Sequence, residues 1–473
     1  MKTLKTIKNL SLLLVVILVS FSCSNDDDNN NQMVEPPQEL NIVETAQTSD
    51  ELTSLVAAVI EADLVDVLSG PGPFTVLAPT NDAFDAFLSA GGWATVADVP
   101  DAALEQVLLN HVISGSIMSS DLVTAGSGYA STSATGAGDN PMSIYYDTSS
   151  GVRFNNVSSV IAGGADINAS NGIVHVVDAV IGLPDIVTFA TANPNFSTLV
   201  TALTTLTPAT DFVSVLQGEG PFTVLAPVNT AFDAITIPTD ESELTNILLN
   251  HVIGSALSST DLVGLGSGYS NTLAEVPNNG GTNLSIYFDT SAGVSFNGIS
   301  DVAVADVVAS NGIIHAVDGV ITLPTIATFA TSNPALETLV AALDYADTGS
   351  PTVPYIDTVS DATAGPFTVF APTNDAFGDV LAELSLTGFG EGAGELNAAT
   401  TDAVLLYHIV NANVQSSQLQ SGTVTTLGGD ITADATAFTL TDPNDRVSNI
   451  ITSLVDIQGV NGVVHVIDTV LLP

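Results

Sequence analysis

The stretch PFTVLAPTNDAF, Pro73–Phe84, decides the fold. It returns as PFTVLAPVNTAF, Pro221–Phe232, and as PFTVFAPTNDAF, Pro366–Phe377. Each copy is answered downstream by a second phrase: NGIVHVVDAVI from Asn171, NGIIHAVDGVI from Asn311 and NGVVHVIDTVL from Asn461. The Phe-Thr-Val sites at 74, 222 and 367 are spaced by 148 and 145 residues. That period is too long for a solenoid repeat and suits a whole domain copied three times.

Within the phrase each residue type has a local reason. Phe74 to Ala78 reads as a short buried strand, stopped by Pro79. Thr80 is placed to cap a helix, with Asn81 and Asp82 in its first turn, where the helix dipole favours an acid. Asn374 and Asp375 follow Thr373 in the same way, whereas copy two has Asn229-Thr230. Phe84 and Phe87 anchor the helix to the core.

Upstream, Leu52, Leu55, Val56, Val59 and Ile60 fall on one helical stripe; Asp50 is its candidate cap and the pattern runs to Leu68. Downstream, a third helix is predicted from Asp101 to about Ile113, with Leu104, Val107, Leu108 and His111 on its apolar face. His251 and His408 hold the matching place in the other copies. Gly/Ser-rich stretches at 126–140 and 270–281 read as loops. Ser143–Asp147 and Val152–Asn155 then read as a hairpin. The closing phrase is apolar on both faces apart from His175 and Asp178, so it reads as a central strand. Helices first and short strands later point to an α+β fold. Copies abut at Pro184 and Pro324 with no linker between them, which predicts a semi-rigid stack.

Charge narrows the partners. The chain has 51 Asp+Glu against 5 Lys+Arg, a net charge of −46. Three of the cations are Lys2, Lys5 and Lys8; beyond them stand only Arg153 and Arg446. Such a chain cannot neutralise phosphates, which argues against nucleic acid.

The start reads as a targeting segment: three lysines, the apolar run Leu12–Val19, then Ser20-Phe21-Ser22-Cys23. Residues 1–22 resemble a bacterial lipoprotein signal, in which Cys23, the one cysteine, becomes the acylated first residue. Ser20 departs from that pattern, where Leu is usual. SNDDDNNNQ, Ser24–Gln32, opens a solvated tether over 23–40 and is similar to the acidic leader of Bacteroidota surface lipoproteins. The implied address is the outer membrane, facing the cell surface, through a lipid anchor; the alternatives are its periplasmic face or secretion.

With both phrases present in every copy and a histidine between them, the chain resembles the fasciclin-like domain family over 41–184, 185–324 and 325–473. The resemblance implies wedge-shaped β-sandwich domains with packed helices. It also implies extracellular adhesion, with a matrix component, another protein or a polysaccharide as ligand, and no general enzymatic activity. The alternatives are a scaffold lipoprotein of the outer membrane or periplasm, and an enzyme acting on polysaccharide. In animal members a Tyr-His pair near the central histidine is tied to integrin binding; here only Tyr407-His408 matches, against Asn110-His111 and Asn250-His251.

The six histidines, His111, His175, His251, His315, His408 and His465, all lie in or beside the repeated motifs. No second histidine stands at i+2 or i+4, so local metal chelation is not expected. They read as neutral core histidines that tie buried backbone groups. His175 and Asp178, three apart on a strand, point to opposite faces and make no triad. No cofactor is expected; Asp-rich loops allow at most weak, diffuse calcium binding, since no spaced Asp-x-Asp-x-Asp-Gly loop occurs.

Overall fold

In a computed structural model of the protein, residues 39–277, 281–351 and 353–473 are described, and Leu40–Pro473 form one compact unit. Cys23, the signal segment and most of the tether lie outside the described residues.

The two repeated phrases meet in space. The corner strand Phe74–Pro79 pairs in parallel with the closing strand Gly172–Val177, and antiparallel with Val112–Ser114 on its other side. Phe222–Pro227 with Gly312–Val317, and Phe367–Pro372 with Gly462–Ile467, repeat the parallel pair in the same register. Two glycines make the approach possible. A Cβ on Gly72 would stand 1.9 Å from Asn171 O, and one on Gly172 would stand 2.1 Å from Phe74 O.

This strand pair is a wall between two cores. On its helical side lie Val76, Ala78, Phe84, Leu104, Leu108, Val174 and Val176. On its other side lie Leu77, Ile113, Ile144, Phe154, Val177 and Ile181. Burial on both faces explains the unbroken apolar run in the closing phrase, at about 1.5–3 kcal/mol for each large side chain. The remaining strands complete an eight-stranded sheet in the first repeat, a seven-stranded closed barrel in the second, and two four-stranded sheets in the third.

Several expected elements differ. The stretch from Asp50 to Leu68 breaks into a 3-10 turn and the helices Thr53–Glu61 and Val65–Leu68, with Asp63 at φ 57° between them, and Ile60 is 59% exposed. The third helix ends at Asn110, and Val112–Ser114 turns back as a strand. The stretches read as loops are largely strands, Ser127–Thr135 and Gly268–Glu275, paired antiparallel to Pro141–Asp147 and Asn283–Asp289. Their small polar residues carry little β signal; pairing with the aromatic-rich neighbour overrides it. In repeat two the corner leads into a 3-10 turn, Asn229–Ala234, where the other repeats have α-helices, Asn81–Gly91 and Asn374–Glu383. Val228 replaces the capping threonine there, so the first N–H groups have no side-chain acceptor.

Consecutive repeats are joined by one device used twice. Tyr129 of the first repeat packs edge-on to Phe189 of the second, with centroids 5.7 Å apart, and its hydroxyl accepts from Asn193 Nδ2 at 3.0 Å. Tyr269 meets Phe329 and Asn333 of the third repeat at the same two distances. Tyr145 and Tyr287 back these rings at 5.2 and 5.0 Å. Ser143 Oγ accepts from Val308 N, and Ser285 Oγ from Gln458 N, both at 2.9 Å. Burial lifts the Tyr129 phenol to about 12 and raises that of Tyr269, so both joints are desolvated.

The outer faces lack these parts. Phe189 and Phe329 stand four residues after the helix caps Asp185 and Thr325; four after the cap Asn41 stands Thr45. On the other side, the cross-strand pair Tyr129–Tyr145 corresponds to Thr423–Thr432 in repeat three, next to the buried Ile431.

Candidate functional site

The corner asparagine ties two helices together. Asn81 Oδ1 accepts from Ser54 N at 2.9 Å, and its Nδ2 donates to Asp50 O at 2.8 Å. Asn229 and Asn374 make the same pair of bonds to Thr198 N and Pro194 O, and to Thr338 N and Pro334 O. Asn81 therefore supplies from a distance the cap expected of Asp50. Thr80 Oγ1 accepts from Ala83 N at 3.3 Å and Thr373 Oγ1 from Ala376 N at 3.2 Å. Asp82 and Asp375 are exposed.

The histidines form two kinds of clasp. His111 sits just past its helix and takes Ile181 N–H on Nε2 at 2.9 Å, so the proton lies on Nδ1 and is donated to Val107 O at 2.7 Å. His251 and His408 do the same with Ile321 N and Ile247 O, and with Leu471 N and Val404 O. Burial pulls all three imidazoles from 6.5 down to about 4, against the opposing backbone hydrogen bond.

The strand histidines hold the other tautomer. His175 Nδ1 accepts from Asp166 N at 3.2 Å, and Nε2–H donates to Ile117 O at 2.9 Å. His315 and His465 repeat this with Asp306 and Leu257, and with Asp456 and Val414, and burial lowers both pKa values.

The same aspartates grip a serine. Asp166 accepts from Ser119 N at 2.7 Å and Ser119 Oγ at 2.5 Å; Asp306 holds Ser259 and Asp456 holds Ser416 in the same way. All three aspartates are left-handed, at φ 59°, 58° and 56°. These hydrogen bonds hold the Asp166 carboxyl below its usual range. The cluster brings Ser, Asp and His together, yet it is no proton relay. The serine hydroxyl is bonded to the carboxylate, and both imidazole nitrogens are committed to the backbone. No local signal marks these aspartates in the sequence, although each lies nine residues before its histidine.

Among the described residues no group of three or more His, Cys, Asp or Glu side chains is placed to hold a metal ion, and no helix is long and apolar enough to cross a membrane.

The fasciclin domain model matches residues 50–184, 194–324 and 334–473. The chain belongs to the fasciclin domain family. Fasciclin relatives include periostin of Homo sapiens, 26% identical over 92% of this chain, which spans 47% of periostin. An uncharacterised Synechocystis protein, sll1735, is 39% identical over 30% of this chain and 96% of its own length. Cell surface glycolipoprotein MPB83 of Mycobacterium bovis is 31% identical over 31% of this chain and 60% of its own length.

Against that family background, the Tyr-His pair of repeat three divides in two. His408 is buried in its clasp, while the half-buried Tyr407 ring lies across Gly428 and Gly429; a Cβ on Gly428 would meet that ring at 2.4 Å. The other fasciclin repeats place a buried asparagine here. Asn110 Nδ2 donates to Gly182 O at 3.1 Å and Asn250 Nδ2 to Thr322 O at 3.1 Å.

Proposed function

We propose that this fasciclin protein is a surface-anchored adhesion module, tethered to the outer membrane through an acylated Cys23 and binding an extracellular protein or polysaccharide. The duplicated joint carries the reading. It holds three copies of one module in fixed register, so a polymeric ligand meets several related surfaces at once, and linked weak contacts sum to strong attachment. Two further features support it. The repeated histidines, asparagines and aspartates are spent on backbone ties, which leaves recognition to the variable exterior. A relative with the same domain bears the name cell surface glycolipoprotein.

Residues 24–473 applied to a panel of glycans and matrix proteins, with and without calcium, test the ligand. Retained binding to at least one polymer is expected, and binding to none counts against adhesion. For the anchor, Cys23→Ser is expected to move the protein out of the membrane fraction and to abolish the acyl mass on the first residue. A Cys23→Ser protein that stays in the membrane sinks it.

A further inference from the structure

The third repeat contains a cavity of about 450 Å³, within the range of small-ligand sites. Phe377, Val380, Leu384, Phe389, Leu396 and Leu472 line it, and the Arg446 guanidinium and Glu383 carboxylate stand in its wall. It lies on the helical side of the wall, beside the His408 clasp, whose acceptor Val404 is part of its lining.

Its polar groups set the ligand's charge. Arg446 Nη1 is paired with Glu383, and its Nε lies 3.6 Å from Asp442 Oδ2. Asp442 is itself fixed by Asn444 N, Arg446 N and Leu472 N. Two carboxylates thus surround one guanidinium, on a chain of net charge −46, and a third negative charge is repelled. The Nη2 donors make no hydrogen bond among the described residues and remain free for an uncharged acceptor. In the first repeat, Trp93 packs against Phe87 at 5.4 Å and covers Gly91, where a Cβ would stand 2.0 Å from its ring. An indole there takes up space beside the corner helix. In repeat three the glycine-rich run Gly388–Gly394 flanks the cavity instead.

We infer that this cavity binds an uncharged amphiphile, an aliphatic or aromatic body ending in one hydroxyl or carbonyl acceptor that meets Arg446. Titration calorimetry on residues 24–473, which keep the whole compact unit, tests it with three probes of one chain length: decanol, decanoate and decyltrimethylammonium. Decanol is expected to bind at one site per chain, at least about tenfold more tightly than decanoate. Leu384→Trp fills the cavity from a partly exposed position and should weaken decanol by about tenfold or more with the melting temperature retained. Val123→Trp, exposed on the first repeat, should change nothing. Absence of decanol binding, an unchanged affinity in Leu384→Trp, or tighter binding of either charged probe would each overturn the inference.

Discussion

A buried imidazole with one carbonyl and one N–H partner must stay neutral, and that makes acid the natural denaturant here. His111, His251 and His408 titrate near 6.5 when unfolded and near 4 when folded. Between those values the unfolded chain holds more protons, so stability is complete above pH 6.5 and falls as pH drops toward 4. Three such groups set a limiting slope of about 4 kcal/mol per pH unit. Urea unfolding at a series of pH values should show midpoints falling across this window, and flat midpoints would refute the assignment. Replacing His111 with Leu orphans Val107 O and Ile181 N and is expected to cost about 2–4 kcal/mol in the same measurement. The neutrality of these residues was legible in the sequence, because an apolar stripe surrounds them. The grip of Asp166 on Ser119 was not, since 47 residues separate the partners and neither carries a local signal.

At the scale of the element, a single residue separates helix from turn. Thr80 and Thr373 cap α-helices, whereas Val228 leads into a 3-10 turn. Val228→Thr is expected to stabilise the protein by about 1 kcal/mol, and Thr80→Val to cost about as much, read from denaturation midpoints. The corner could be read from sequence because strand, proline and cap are all local. Its parallel partner could not, because pairing of Phe74 with Gly172 depends on the whole intervening domain. Ser127–Thr135 is illegible for a related reason: SGYASTSAT is a strand only in the company of Pro141–Asp147.

For the whole molecule, the joints decide whether three domains unfold as one. Tyr129→Ala should uncouple the first repeat and Tyr269→Ala the third, each removing about 2–4 kcal/mol of coupling. Calorimetry should then show one transition splitting into two; a single unsplit transition in both variants would mean that the joints do not couple the repeats. Self-repulsion acts at the same scale. With 51 acidic residues and only two cations beyond the first eight positions, added salt should raise the melting temperature by screening. A melting temperature independent of ionic strength would contradict this.

Both joints are built from the same parts, and only the middle repeat carries both halves. Tyr129 of repeat one would therefore find in Phe329 and Asn333 the partners it now has in Phe189 and Asn193. Excising residues 185–324 should leave a shorter, well-mated chain, and duplicating them a longer one. The number of modules is thus a quantity that gene duplication can adjust in whole steps while keeping the same aromatic joint, whereas moving the third module to the front would strand Tyr269 and Phe329 and leave a single joint mated.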